Sequence, residues 1–183
     1  MALELGTNCG IVTIAPTADP EASSNTVQED LTRGFKITTT DAVNISEMGW
    51  YCIDATPDVN FEIGIYDDDS DTPNNLLFSS TVNAKGTTAG WKVASGLDWD
   101  LDASTVYWLA VQLDDTTQTT ISREATGTAK YYYAFSQTTL TDPFPGAIGP
   151  SAYLVGYYAL ISSETNPTIQ GINSISGVST LVI

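Results

Sequence analysis

The chain has 183 residues, of which 42% are hydrophobic and 15% are charged. Its 22 Asp and Glu residues outweigh 6 Lys and Arg residues, which gives a formal net charge of −16. This charge excludes nucleic acid and anionic membrane surfaces as partners, since both would repel the chain. The acidity itself has two interpretations, namely solubility or bound divalent cations.

The first predicted strands occupy the N-terminal third of the chain. Short apolar runs at residues 10–14 and 35–39 predict two of them. Residues 43–53 form a longer run, in which the parity of the apolar side chains changes near Gly49. A change of parity within a strand predicts a β-bulge at that point.

Strict alternation marks the middle of the chain. In residues 60–66, Phe61, Ile63 and Ile65 fall on one face, which predicts a strand with one buried face. In the run at residues 95–102, Leu97, Trp99 and Leu101 alternate with three aspartates, at positions 98, 100 and 102. A strand places all of those aspartates on its solvent side, whereas a helix would scatter them around its axis.

Val106–Leu113 is apolar at nearly every position and predicts a central strand covered on both faces. Weaker strand signals follow the same short spacing: residues 76–82, 91–93, 130–135 and 153–161. No stretch shows a convincing apolar period of 3.6 residues. The pattern predicts an all-β fold, a two-sheet antiparallel β-sandwich of the jelly-roll kind, over residues 1–162.

Residues 163–183 differ from the rest of the chain. They contain a linker-like run and then a segment in which apolar residues recur at every third position: Ile169, Ile172, Ile175, Val178 and Leu181. Glycine and serine between them argue against a helix. An extended apolar tail favours an assembly contact with a neighbouring subunit. The alternative is a last strand that folds back on its own sandwich.

Residue composition argues against catalysis. The chain has no histidine, which removes the commonest general base and the imidazole metal ligand. A paired-carboxylate hydrolase is conceivable, but so many acids make such a pair uninformative. The two cysteines, Cys9 and Cys52, allow one disulfide, although two buried free thiols are favoured. The chain is therefore expected not to be an enzyme.

One acidic cluster has the spacing of a calcium loop. Asp67, Asp69 and Asp71 alternate directly after a strong strand, as oxygen ligands do at the start of such loops. The glycine and the distal glutamate of a full loop are missing. Two interpretations stay open, a hairpin loop with solvated aspartates and a Ca²⁺ site.

Tyrosines offer a second candidate site. Tyr131 and Tyr133 fall on one face of a predicted strand, and Tyr132 falls on the other. Aromatic rings on a sheet can stack on sugar rings, so this pair is a candidate glycan site. Core packing is the alternative interpretation.

Three stretches resemble a known group of proteins: ELGTNCGIVTIAPTADP, ISEMGWYCIDATPDVNFEIGIYDDDSDTPNNLL and STVYWLAVQLDDT. The group consists of β-sandwich proteins of tailed bacteriophages and viral metagenomes, found in tail, fibre or head-surface parts of the virion. The resemblance spans about residues 3–160. It rests on strand and turn patterns, and it carries over no catalytic residue.

The resemblance implies a non-enzymatic structural protein of the virion, such as a head-decoration protein or a tail or fibre component. Its expected partners are copies of itself, with a trimer as one form of homo-oligomer, and other virion proteins. The expected location is the virion surface after assembly in the host cytoplasm, consistent with the lack of a recognisable signal peptide. The alternative is a carbohydrate-binding module or adhesin for cell-surface glycans, with calcium dependence as an option.

Overall fold

A computed structural model describes most of the chain: residues 1–20, 24–28, 30–55, 58–113, 119–135 and 137–162. These residues form two β-sheets that pack face to face, which confirms the predicted β-sandwich. The tail at residues 163–183, with its five predicted assembly residues, lies outside the described residues. Within the described ranges, no helix has the length and apolar character needed to cross a bilayer.

The first sheet has seven strands: β1 (Gly10–Val12), β2 (Ser24–Gln28), β4 (Val43–Cys52), β8 (Gly90–Leu101), β10 (Thr119–Ala125), β13 (Tyr153–Val155) and β14 (Tyr157–Ile161). Its main order is β1-β14-β4-β10-β13, with β8 beside β4 and β2 beside β10. In the described part of the chain, the strands of this sheet pair antiparallel except for β1 and β14, which run parallel. A single parallel pair therefore modifies the predicted antiparallel arrangement at one edge.

The second sheet also has seven strands: β3 (Thr32–Thr38), β5 (Asn60–Asp68), β6 (Pro73–Ser79), β7 (Asn83–Ala84), β9 (Val106–Leu113), β11 (Tyr131–Ala134) and β12 (Ile148–Ser151). Its order is β12-β11-β3-β9-β5-β6, and β7 also pairs with β5. The central position of β9, between β3 and β5, confirms the prediction from its unbroken apolar run.

Two apolar layers cover the opposite faces of β9. Leu109 and Val111 belong to the main core between the sheets, whereas Trp108 and Ala110 belong to a smaller core on the outer face of the second sheet. Side chains of successive strand residues point to opposite faces. A strand covered on both faces is therefore apolar at every position, as this sequence is.

The covering segment, residues 137–147, forms the outer layer of that smaller core. Its Leu140 and Phe144 are buried against the second sheet, and Phe144 meets the ring of Tyr66 edge-on with centroids 5.1 Å apart. The hydroxyl of Tyr66 donates to the carbonyl oxygen of Thr141 at 2.8 Å. Buried tyrosines usually find such a partner, because an unpaired hydroxyl would be costly.

Two carboxylates tie the covering segment to the sheet. Glu62 Oε2 accepts hydrogen bonds from Leu140 N at 2.7 Å and from Thr139 Oγ1 at 2.8 Å. In the reverse direction, Asp142 Oδ1 accepts from Leu76 N at 3.1 Å. Hydrogen bonds to an ionised carboxylate are stronger than those between neutral groups. They hold the segment in register with β5 and β6.

The covering segment changes the expected environment of β5. Phe61 and Ile65 lie in the main core, as the alternation predicts. The prediction of a single buried face is wrong, since Gly64 and Tyr66 on the opposite face are buried as well. Alternation within one strand cannot reveal a layer contributed by residues far along the chain.

A β-bulge interrupts β4, but it lies nearer the start of the strand than predicted. Its register with β8 and with β14 shifts between Ile45 and Glu47, not near Gly49. The shift brings both Ile45 and Met48 into the main core despite their unequal parity. Gly49 has another reason to be glycine, because the ring of Tyr158 covers it.

Several strands depart from the expected boundaries. The predicted run at residues 153–161 is split at Gly156 into β13 and β14, which pair with different neighbours. Four strands had no predicted counterpart: β2, β7, β10 and β12. Their sequences are short or rich in polar residues, so they carry little apolar alternation.

Substitution of Gly49 by alanine tests the close packing over β4. A Cβ atom at this position would lie 2.4 Å from Cε1 of Tyr158. That ring cannot retreat easily, since it is buried and its hydroxyl donates to Glu47 Oε1 at 2.5 Å. We expect Gly49→Ala to lower the free energy of unfolding by about 1–3 kcal/mol, as overpacking does.

Chemical denaturation measures this loss, and Gly127→Ala is the matched control. A Cβ at Gly127 meets no heavy atom within 4 Å. The control should change the free energy of unfolding by less than about 0.5 kcal/mol. Equal stability of the two variants would contradict the close packing described above.

Candidate functional site

Both arginines of the chain line one pocket, which has a volume of about 330 Å³. We name it the arginine–tyrosine pocket. Its lining combines two cations, four aromatic rings and two further side chains: Arg33, Arg123, Tyr131, Tyr133, Tyr153, Phe135, Leu31 and Ser151. An apolar wall with a few convergent polar groups is typical of ligand sites.

Strand alternation explains why the two arginines meet. Arg33 lies two residues before Phe35 on β3, and Arg123 lies two residues after Ile121 on β10. Phe35 and Ile121 both belong to the main core, so each arginine shares the inward face of its strand. Because β3 and β10 belong to different sheets, the two guanidinium groups approach each other from opposite layers of the sandwich.

Burial and like charge act together on Arg33. Its side chain is among the buried polar groups, with the residue only 5% exposed. Burial lowers the pKa of Arg33 to about 10, and the positive charge of Arg123 acts in the same direction, while Tyr157 and Tyr133 act against it. A guanidinium in this position gains from negative charge nearby.

Aromatic rings flank both cations. The guanidinium carbon of Arg123 lies 4.1 Å from the ring centroid of Tyr153. That of Arg33 lies 5.5 Å from the centroid of Tyr131 and 5.8 Å from that of Tyr133. Such cation–π contacts hold a guanidinium in position through its face and leave its N–H edge available for hydrogen bonds.

The two tyrosines predicted as ligand residues both lie in this pocket. Tyr133 is half-buried, whereas Tyr131 is only 2% exposed and belongs to the main core. Within the described residues, the buried hydroxyl of Tyr131 has no hydrogen-bond partner. The arginines were not predicted as site residues, although their spacing of two residues from Phe35 and Ile121 indicates an inward orientation.

The predicted calcium ligands do not converge in the structure. Asp67 accepts hydrogen bonds from the backbone N and from Nδ2 of Asn75, at 2.6 and 2.8 Å. Asp69 accepts from Ser70 Oγ at 3.0 Å, and its backbone exchanges two hydrogen bonds with Thr72. These contacts are those of a hairpin loop between β5 and β6.

Asp71, the third predicted ligand, forms ion pairs with Lys36 and Lys130. A carboxylate already neutralised by two ammonium groups is a poor partner for a cation. Across the described ranges, no group of three or more Asp, Glu or Cys residues could hold a metal ion. The geometry therefore gives the calcium interpretation no support.

A second pocket of about 540 Å³ runs along β1, and we name it the N-terminal groove. Its lining is mixed and comes from β1, β3 and the segments before β1 and β11: the apolar or small residues Leu5, Gly10, Ile11, Ile37 and Ala129, and the polar residues Lys36, Thr38, Thr128 and Lys130. Leu5 in this lining is 58% exposed; Ile14, 79% exposed, and the exposed Met1 line an adjoining pocket that shares Gly6 with the groove. This part of the surface is an exposed apolar patch at a sheet edge.

The two cysteines are free and buried, which agrees with the favoured interpretation. Burial, helped by the negative charges of Glu124 and Glu4, raises the pKa of the Cys9 thiol to about 12. The thiolate is the reactive form of cysteine. Cys9 is therefore an inert packing residue and not a nucleophile.

Comparison with protein-family models, with curated proteins and with solved structures found no match to this chain. The resemblance to virion proteins of tailed bacteriophages therefore stays a prediction.

Substitution Asp71→Asn tests the ion pairs of the hairpin loop. Asparagine tolerates the positive φ of 71° at this position, so the change removes the charge and not the turn. Because the groups of the ion pair with Lys36 are 24% and 39% exposed, we expect a loss of about 1 kcal/mol or less. The melting temperature should fall by about 2–4 °C at most in low salt, and by less in high salt.

Asp69→Asn is the matched control, since that carboxylate accepts only from the neighbouring Ser70 side chain among the described contacts. Its melting temperature should match that of the wild type. Equal effects of the two substitutions would show that the ion pairs of Asp71 do not stabilise the fold.

The raised pKa of Cys9 predicts a loss of stability in base. In the unfolded chain the thiol ionises near its ordinary value of 9.0, whereas in the folded chain it stays protonated up to about 12. Its contribution to stability is therefore complete below pH 9 and is lost as the pH rises toward 12. Burial also raises the pKa of Tyr66 and Tyr158, which adds to the same trend.

Chemical denaturation between about pH 8 and pH 11 separates these contributions. Cys9→Ala should lose less stability across this interval than the wild type, because both proteins share the tyrosines and only one has the thiol. Parallel pH profiles would contradict the assignment to Cys9. A thiol reagent should modify the wild type at Cys9 only after unfolding.

Proposed function

We propose that the chain is a non-enzymatic structural protein of a bacteriophage virion that works through contacts between its own copies. The observation that carries this proposal is the exposed apolar patch beside the edge strand β1. Monomeric proteins rarely leave large apolar patches open, and such patches mark contact surfaces.

The edge of the first sheet supports a strand-mediated contact. In the part of the chain that the structure describes, β1 pairs with β14 and with no other strand. Gly10 and Ile11 of β1 line the N-terminal groove together with Ile37 and Thr38 of β3, which lie beyond the last backbone hydrogen bond of β3 to the β11 side, from Lys36 N to the Lys130 carbonyl oxygen. Free backbone groups beside an apolar groove accept an added strand from another chain.

The proposed occupant of the groove is the tail of a neighbouring copy, residues 163–183. The tail follows β14, whose residue Leu160 pairs with Val12 at the end of β1. Its regularly spaced apolar residues match the apolar part of the groove lining, Leu5, Ile11 and Ile37, in character. When extended, a segment of this length reaches at most roughly 70 Å, which is enough to span to another subunit.

The virion part of the proposal rests on the three stretches that resemble β-sandwich proteins of tailed bacteriophages. They fall on β1, on β4 to β6 and on β9, which are strands that build both sheets. The observed sandwich has the fold that this resemblance implies. A role without catalysis agrees with the lack of histidine in the chain.

The double substitution Leu5→Asp and Ile14→Asp tests the contact. Both side chains are exposed, so the fold should persist, whereas charges in the patch should oppose burial at an interface. We expect the wild type to sediment as an oligomer and the variant to sediment as a folded monomer. Deletion of residues 163–183 should have the same effect.

Val82→Asp is the matched control, because Val82 is 56% exposed and lies outside the N-terminal groove. It should leave the oligomer intact. A monomeric wild type, or a double variant that still assembles, would contradict the contact. Mass spectrometry of purified particles tests the virion location separately, since a structural protein must be present in them.

A further inference from the structure

We propose that the arginine–tyrosine pocket binds an acidic saccharide, whose carboxylate lies between Arg33 and Arg123 and whose sugar ring packs on the tyrosines. This site and the N-terminal groove have no lining residue in common, although residues of β3 line both. The proposal does not depend on the assembly role.

The distribution of cations is the first argument. Of six Lys and Arg residues in a chain of net charge −16, the only two arginines lie in one pocket of about 330 Å³. They face each other from different sheets, and one of them is buried. The fold thus places two of the few positive charges of an acidic protein side by side in a partly dry site.

The hydrogen-bonding capacity of arginine is the second argument. Both arginines make further interactions besides their ring contacts. A guanidinium has five N–H donors, so an arginine that already has a partner keeps donors for a ligand. Its planar fork matches the two oxygens of a carboxylate, and the flanking rings fix its orientation before the ligand arrives.

The tyrosines supply the argument for a saccharide. The half-buried rings of Tyr133 and Tyr153 line the pocket beside the arginines, and the exposed ring of Phe135 meets that of Tyr133 edge-on at 5.2 Å. Aromatic rings combine an apolar face with a polar rim, which suits the apolar face of a sugar ring. The unpartnered hydroxyl of Tyr131 would gain an acceptor from a ligand oxygen at the floor of the pocket.

Isothermal titration with glucuronate oligosaccharides and with the matching neutral glucose oligosaccharides tests the proposal. The wild type should bind the acidic series at least about tenfold more tightly, which is the size of a charge-assisted hydrogen bond. Equal affinity for the neutral series would overturn the role of the arginines. If inorganic sulfate binds the pocket as tightly as the acidic saccharide and displaces it, the assignment of a saccharide would be overturned.

Arg123→Gln is the informative variant, because Arg123 is half-buried and its loss is easier to accommodate than that of Arg33. Affinity for the acidic series should fall about tenfold or more, and Arg123→Lys should restore only part of it. Lys130→Gln is the charge-matched control, since Lys130 pairs with Asp71 outside this pocket. An equal loss of affinity in the control would overturn the proposal.

Tyr131→Phe separates binding from folding. Removing a buried hydroxyl that lacks a partner should leave the melting temperature unchanged or raise it. The same change should weaken binding of the acidic series several-fold. Unchanged affinity would overturn the contact between ligand and Tyr131. Sedimentation of each variant shows whether assembly is intact, so failure of the pocket and failure of the assembly role are distinguishable.

Discussion

Burial of β9 on both of its faces is the constraint on which the rest of the fold depends. Its backbone pairs with β3 on one side and β5 on the other, so it has no free edge along these ladders. Leu109 and Trp108, adjacent in sequence, enter two different cores. Because β3 is in register with β9, Arg33 lies opposite Val111 and Lys36 lies opposite Trp108. The register with the central strand thereby fixes the position of Arg33 in the arginine–tyrosine pocket and of Lys36 beside Asp71.

The few cations of this acidic chain occupy structural junctions. Lys36 and Lys130 converge on Asp71, which joins the β5–β6 hairpin to β3 and the start of β11. Arg33 and Arg123 converge between the sheets. In sequence the six cations look scattered, but the fold brings four of them together in two pairs. Each cation pair therefore lies at a defined contact between strands, although the chain as a whole is strongly acidic.

Period-two patterns predicted the fold class and an unbroken apolar run predicted the central strand, because each of these patterns is contained within a single strand. Asp98 and Asp100 lie on the solvent side, as their alternation with Leu and Trp indicates. The position of the bulge near Ile45 was missed, since parity shows that a shift occurs and not where the ladder absorbs it. The arginine–tyrosine pocket was half predicted, through its tyrosines. Its cations come from distant strands, and only the packing of the two sheets brings them together.

The covering segment has a consequence for how this sandwich can meet other molecules. Leu140 and Phe144 cover Tyr66, Trp108 and Ala110 on the outer face of the second sheet, so this part of the face is not available to another molecule. The N-terminal groove and the arginine–tyrosine pocket both open at rims where the two layers part. Copies joined at such a rim extend sideways from one another. Under the proposed self-association, repetition of that geometry would build closed rings or continuous filaments, according to the rotation between neighbours.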